Sequence, residues 1–470
     1  MSRTRSDRIH PHGPIPQDGP ARRPRPAGRT TRLAVLASAT VLSVTALVLP
    51  AQAAAPAAAP PGPAAVRGPD GGPLDRAALR QSLDAFRDAG MYGAYSTVRD
   101  GSATWRGAAG VADVDSGRPV RPDFEHRIGS ITKTFTAVAV LQQVQAGRVE
   151  LDAPVGRYLP ELVGGERGRQ VTVRMLLNHT SGIGDYVLPA FPGLAEDPAG
   201  TLEDNRFRHV EPEELVRLGL AARPAAPRGT YAYANTNYVI AGLLLEKATG
   251  QDAEEYITRN VIRKAGLRHT YFPQSARIRG PHAKMYESMY GTIAPARDFS
   301  VYDMSWAGTA GALVSTTDDL ADFYRRLLGG TLLGPAALAA MKTTVPAYEP
   351  EPGDTVRMRY GLGIYTLQLP GGGWYWGHDG GVFGAGTWAL SSEDGKRQVA
   401  IGYNLMKYER FDDQGRPLPD PIGAALVGHV YGALGEAPAP AGPAAARGQA
   451  PEPGPLPTRQ HLVGPGQLLR

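Results

Sequence analysis

The order in which hydrophobic periodicities change along the chain is its strongest constraint. An amphipathic helix is predicted over 75–89, where Leu79, Leu83 and Phe86 recur at helical spacing ahead of Gly90. Two strand-like runs follow, near 92–99 and 103–112, and then a helix-rich stretch from about 130 to 300. Beyond residue 308 the strand pattern returns, in GALVS, RYGLGIYTLQL, WYWGH, GTWALSS and RQVAIGYNL, before a closing helix over about 421–434. Strands, then helices, then hairpin-connected strands predict an α/β (α+β) fold. Its antiparallel sheet draws on both ends of the chain and is flanked by helices, with an all-helical domain inserted.

A chain of 470 residues is long enough for one large or two interleaved domains, and its 42% hydrophobic and 20% charged content is ordinary for a globular protein. Residues 54–73 (AAPAAAPPGPAAVRGPDGGP) read as a Pro/Ala/Gly linker, and 436–470 as a disordered tail of the same composition. The folded body is expected over 74–435. The pI of about 9.2 misleads. Residues 1–53 hold eight arginines against two aspartates, a net of +6 against +5 for the whole chain, so the remainder carries −1. Such a body offers no electrostatic footprint for nucleic acid.

The same N-terminal segment reads as an export signal. Basic residues end at Arg32, an apolar run spans Leu33 to Leu49, and Ala51-Gln52-Ala53 supplies a small-x-small cleavage site. A membrane anchor is the competing reading of the apolar run. Cleavage would leave a secreted protein with no stable membrane anchor. The chain has no cysteine, which excludes thiol catalysis, thiolate metal sites and disulfides.

Three short motifs carry chemistry. Ser130-Ile131-Thr132-Lys133 opens an apolar helix behind Gly129. Residues i and i+3 share a helix face, so the Lys133 amine can reach the Ser130 hydroxyl. Free N–H groups at a helix start favour an oxyanion there, and a desolvated lysine can accept a proton. Ser130 as a plain N-cap is the structural alternative. Tyr233-Ala234-Asn235 precedes a helix from Thr236 to Thr249. A tyrosine can relay protons and an asparagine can bind a substrate carbonyl, although a core aromatic and a helix cap would look the same. Trp376-Gly377-His378-Asp379-Gly380-Gly381 reads as a strand leading into a Gly-rich turn, where His378 lines a cleft or simply sits exposed in a hairpin.

The ordered set S-x-x-K, Y-x-N and H-x-G resembles the signature of the serine β-lactamase and penicillin-binding family. The version here is nearest to class C β-lactamases and the secreted D-alanyl-D-alanine carboxypeptidases. The runs HRIGSITKTFTAVAVLQQVQAGRVELDAPVGRYLP, VTVRMLLNHTSGI, PRGTYAYANTNYVIAGLLLEKATG and SWAGTAGALVSTTDDLADF are similar to that family, over about 75–430.

The resemblance implies the β-lactamase/transpeptidase-like fold and a two-step acyl transfer without metal or cofactor. Ser130 would be the nucleophile, Lys133 its activator, Tyr233 a proton relay or general base, and His378 a source of a proton or positive field. Asn235 would bind the substrate amide. The backbone N–H groups of Ser130 and Gly381 would form the oxyanion hole, and Trp306 would line the cleft. His179 and Ser181 in NHTSG would be structural. Ala234 stands where serine is common.

A D-alanyl-D-alanine carboxypeptidase-like DD-peptidase is the expectation, acting on D-alanyl peptides. A β-lactamase, D-aminopeptidase or esterase shares that chemistry, and a non-catalytic penicillin-binding sensor is the reading from another class. The partner is then a small-molecule or peptide substrate such as a D-alanyl peptide or a β-lactam. The chain departs from carboxypeptidases of this type where they hold the substrate's terminal carboxylate. They place an arginine near Tyr365 and hydroxyl residues at positions 379 and 381, where this chain has Asp379 and Gly381. Arg357 or Arg359 would have to compensate. A carboxylate at 379 is expected to add negative potential and to favour neutral amides or esters over free acids. The side chains of His378 and Asp379, as strand neighbours, are expected to face apart.

Overall fold

The computed structural model describes residues 74–348, 356–412 and 414–436. The export segment and linker expected over 1–73, and all but the first residue of the tail expected over 436–470, lie outside them.

Among the described residues, nine strands build one antiparallel sheet. They are β1 (Gly93–Asp100), β2 (Ala103–Asp113), β3 (Arg118–Pro119), β4 (Val345–Tyr348), β5 (Arg357–Tyr360), β6 (Tyr365–Gln368), β7 (Trp374–Val382), β8 (Ala385–Ser392) and β9 (Arg397–Tyr403). Their spatial order is β3-β2-β1-β9-β8-β7-β6-β5-β4. The two ends of the body meet at the centre, where β1 pairs with β9 from Ala94↔Tyr403 to Asp100↔Arg397. This is the closure that the strand–helix–strand order predicts. Alternation is lost in β9, buried at six of its seven positions, because helices cover both faces of the sheet.

Five helices matter to the argument: α1 (Arg76–Asp88), α2 (Thr132–Gln145), α3 (Thr236–Thr249), α4 (Thr317–Leu328) and α5 (Pro421–Leu434). Asp75 caps α1 by accepting from the backbone N–H groups of Ala77 and Ala78. Leu79, Leu83 and Phe86 of α1 pack with Leu426, Val427 and Val430 of α5 and with Val98, Val399 and Ile401 of the sheet. Buried His429 ties the layer together, 2.8 Å from Ser82 Oγ on α1 and 3.0 Å from Ser96 Oγ on β1.

The opposite face is covered by α4, in a region expected to be strand-rich. The overlooked signal is local. Thr316 Oγ1 accepts from the N–H of Asp319, Asp318 and Asp319 fill the first turn, and Leu320, Phe323, Tyr324 and Leu327 form one buried stripe. Phe323 stacks on Phe135 of α2, with ring centroids 3.8 Å apart and planes 7° apart. Every residue of α2 from Thr132 to Leu141 is buried, so it shows no amphipathic stripe. A helix packed on all sides is a rigid mount for whatever its first turn carries.

Strand β7 runs past that first turn. Gly380 and Gly381 belong to the strand, and the turn falls at Phe383 and Gly384, later than expected. The reason is close backbone approach. A Cβ on Gly380 would lie 1.9 Å from the Ile128 carbonyl oxygen and 2.9 Å from the Ser130 nitrogen. A Cβ on Gly129, itself at φ +51°, would lie 2.6 Å from the Gly381 nitrogen. Only glycine lets this strand lie flat against the segment that carries Ser130.

Candidate active site

A short 3₁₀ turn, Gly129–Ile131, delivers Ser130 to the start of α2, and Lys133 follows one turn on. Lys133 has no exposed surface, and its Nζ makes three contacts. It lies 3.0 Å from Ser130 Oγ, 2.8 Å from Asn235 Oδ1 and 2.7 Å from the Ala310 carbonyl oxygen. Burial pushes the Lys133 amine down to about 7, against the opposing pull of Asp185 and Asp379. At neutral pH the amine is therefore shared between its charged and neutral forms, and the neutral form has a lone pair to offer the serine proton.

Tyr233 faces the same hydroxyl. Its ring lies 4.9 Å from Lys133 Nζ, and its phenol lies within the electrostatic reach of Ser130. Burial raises the phenol well above its usual range, which Ser130 only partly offsets. Tyr233 therefore enters the reaction as a protonated phenol and suits relay better than initial base. His179 tilts against Tyr233 with ring centroids 4.2 Å apart. Its Nδ1 accepts from the Ala234 N–H at 3.2 Å and lies 3.1 Å from Asn237 Nδ2. Ser181 Oγ donates to Asn237 Oδ1. His179 and Ser181 are thus joined through Asn237 as a support for the Tyr233 segment.

Asn235 is held from two sides. Its Oδ1 accepts from Lys133, and its Nδ2 and backbone N–H both donate to Asp185 Oδ2, at 2.9 and 2.7 Å. Sequence reasoning passed over Asp185, although it lies three residues past the NHTSG segment already singled out. It also passed over Tyr186, whose hydroxyl donates to the Trp306 carbonyl oxygen at 2.6 Å.

A small cavity opens at Ser130. Tyr186, Asn235, Trp306, Ala310, Gly381 and Val382 are among its walls. Ser130, Asn235, Trp306 and Gly381 are thus brought together as the motifs imply. Trp306 is core and wall at once: 2% exposed, it stacks on Phe383 at 4.9 Å and meets Phe191 edge-on at 5.4 Å.

His378, Asp379 and Tyr365 are placed differently. His378 is fully buried behind the wall, its Nε2 2.8 Å from the Tyr360 hydroxyl. Tyr360 in turn meets Tyr233 edge-on, with ring centroids 6.4 Å apart. The histidine thus touches Tyr233 only by way of the Tyr360 ring and does not reach the cleft surface. Nor do His378 and Asp379 face apart: His378 Nδ1 lies 2.5 Å from the Asp379 carbonyl oxygen and 3.7 Å from Asp379 Oδ1. The Asp379 carboxyl is buried against the Tyr365 phenol, and burial raises it to about 8. It is mostly protonated at neutral pH, so the negative potential expected there is largely cancelled. Tyr365 has no exposed surface and stays outside the cavity wall, its ring 5.1 Å from that of His378. Neither arginine compensates. Arg357 is exposed, and Arg359 Nε donates to Thr344 Oγ1 at 3.0 Å.

A family model described as Beta-lactamase matches residues 44–419. The crystal structure of a D-stereospecific amidohydrolase from Streptomyces sp. is similar at 37% identity, with a TM-score of 0.65 over 71% of this chain and 95% of that one. The octameric penicillin-binding protein homologue from Pyrococcus abyssi is similar at 25% identity and a TM-score of 0.60, over 71% of this chain and 74% of that one. Esterase EstB of Burkholderia gladioli is 37% identical over 210 residues, 42% of this chain and 53% of the esterase, so the match spans about half the esterase's length.

Proposed function

This chain belongs to the beta-lactamase family of serine hydrolases, with its β-lactamase/transpeptidase-like fold, and from that premise we propose that it cleaves neutral amides and esters of small D-amino acids through a Ser130 acyl-enzyme. The observation that carries the reading is the missing carboxylate anchor. Among the described residues the cavity wall includes no arginine, and Asp379 and Tyr365 stand at the sequence positions where carboxypeptidase relatives are implied to hold a free acid. The D configuration rests on similarity to the Streptomyces amidohydrolase.

In the proposed reaction Ser130 Oγ attacks the substrate carbonyl carbon while its proton passes to neutral Lys133. The N–H groups of Ser130 and Gly381 hold the resulting oxyanion. The carbon–nitrogen or carbon–oxygen bond then breaks, and the proton reaches the leaving group by way of Tyr233. Water, deprotonated by the same groups, finally cleaves the Ser130 ester. Steady-state kinetics on matched D-alanyl-D-alanine and D-alanyl-D-alanine amide, with D-alanine nitroanilide, a short-chain nitrophenyl ester and nitrocefin alongside, tests the reading. The amide is expected to exceed its free acid in kcat/KM by about tenfold or more, the worth of one unmade charge-assisted contact. A clear preference for the acid would restore the plain DD-carboxypeptidase.

Export is part of the same proposal. Removal of the apolar segment after Ala53 predicts a mature chain that starts at Ala54, read by intact mass of protein collected from the medium. Recovery of Leu33–Leu49 in a membrane fraction would favour an anchor.

A further inference from the structure

Two carboxyl groups flank the buried Lys133, and the reaction scheme above uses neither. Asp379 lies beside the Tyr365 phenol and is raised by burial. Asp185 is different, because its carboxylate is met by N–H donors. Oδ2 takes the backbone and side-chain nitrogens of Asn235, and Oδ1 takes the N–H of Val187 at 2.8 Å. Burial raises the Asp185 carboxyl on balance, and its three N–H donors pull the other way, toward the ionised form.

The Asn235 amide is a two-ended group, acceptor at Oδ1 and donor at Nδ2. In its observed orientation the oxygen meets the Lys133 amine and the nitrogen meets the Asp185 carboxylate. Turned by half a rotation, it would set NH₂ against an ammonium and oxygen against a carboxylate, two opposed pairs. The carboxylate therefore decides which end of Asn235 faces the lysine. It also stands one amide away from Lys133, close enough for its charge to favour the ammonium.

We propose that Asp185 is a positioning residue for acylation: it locks the Asn235 amide with its oxygen toward Lys133 and sets a negative charge one amide away from that lysine. The inference rests on the assignment of Ser130 and Lys133 as the acylating pair but not on any particular substrate. The other groups that face Lys133 are Asp379 from β7, with His378 beside it, and the Tyr233 and Tyr238 rings at 4.9 and 5.7 Å. All of them stay in place when residue 185 is changed.

The test uses a fluorophosphonate probe, which phosphonylates an activated serine whatever its natural substrate. Its second-order rate of reaction with the full-length protein is followed from pH 5 to 9.5 in the wild type, Asp185→Asn and Asp185→Ala, with thermal melts of each. Removing a negative neighbour disfavours the ammonium, so neutral Lys133 persists to lower pH. Both variants should move the acid limb of the profile down by about one pH unit. The plateau should fall about tenfold to a hundredfold, through loss of a hydrogen bond to a charged group. Asp185→Asn should fall further than Asp185→Ala, because its NH₂ must oppose either Val187 N–H or the Asn235 donors. Folded variants that label more slowly with the acid limb unmoved would overturn the proposal and leave Asp185 a local cap. An unlabelled wild type would instead overturn the Ser130–Lys133 assignment beneath it.

Discussion

Ser130→Ala is expected to abolish turnover of amides and esters alike, a loss of about 10⁴–10⁶ in kcat, because the bond-forming atom is gone. The oxyanion donors and the cavity remain, so weak substrate binding should survive. Folding should survive as well. Lys133 keeps Asn235 Oδ1 and the Ala310 carbonyl oxygen as partners, and removing one hydroxyl leaves no large void. The check is a pair of measurements on the same preparation. Intact mass after incubation with a fluorophosphonate or a penicillin should show one adduct on the wild type and none on the variant, and the thermal midpoint should stay within a few degrees. More than a trace of activity, with contamination excluded by the missing adduct, would remove Ser130 from the mechanism.

That Ser130 and Lys133 were legible in the sequence at all follows from their being local. A spacing of three on a helix fixes a side-chain pair without any knowledge of the rest of the fold. The same holds for the closing helix, Pro421–Leu434, whose bounds match the expected 421–434. The antiparallel sheet followed from pattern order, since each run alternates or stays apolar over strand length. Helix α4 was missed for the opposite reason: the returning strand pattern was carried across a stretch whose own capping residues say helix.

The rest of the site is tertiary. Asp185 and Tyr360 matter through contacts with residues 50 positions away in one case and 18 in the other, and no periodicity links them. The reading of Asp379 failed on two physical points. His378 Nδ1 meets both the Asp379 carbonyl oxygen, at 2.5 Å, and Asp379 Oδ1, at 3.7 Å, so these strand neighbours touch. Burial then raises the carboxyl to about 8, so the charge inferred from composition is mostly not there at neutral pH. The proposed preference for neutral substrates then rests on a different cause, the lack of a cation in the cavity wall rather than repulsion by a carboxylate.

The same desolvation makes Lys133 both the source of activity and a burden on the fold. Lys133→Met should lower kcat/KM by about 10²–10⁴, the usual worth of a placed proton acceptor. It should also make the protein more stable. The sign follows from linkage. The amine sits at about 7 in the folded chain against 10.5 when free, so between those values the unfolded chain binds a proton that the native one does not. Wild-type stability therefore rises with pH from about 7 toward 10.5, and below 7 it carries the full cost of a buried ammonium, on the order of a few kcal/mol.

Methionine has similar length and no charge, and the acceptors it leaves behind, Asn235 Oδ1 and the Ala310 carbonyl oxygen, return part of that gain. Asp379 does not become an uncompensated charge, because burial keeps it largely protonated below 8, and Asp185 keeps its three N–H donors. A net gain of about 1–3 kcal/mol is expected at pH 6, within the range seen when buried ionic groups give way to apolar ones. Thermal and chemical unfolding at pH 6, 7.5 and 9 should show this advantage largest at pH 6 and shrinking as the pH rises. A variant that is inactive and also less stable than the wild type at pH 6 would show that the three contacts at Lys133 Nζ fully repay its burial, and an advantage that does not diminish by pH 9 would show that the amine does not lose its proton near 7.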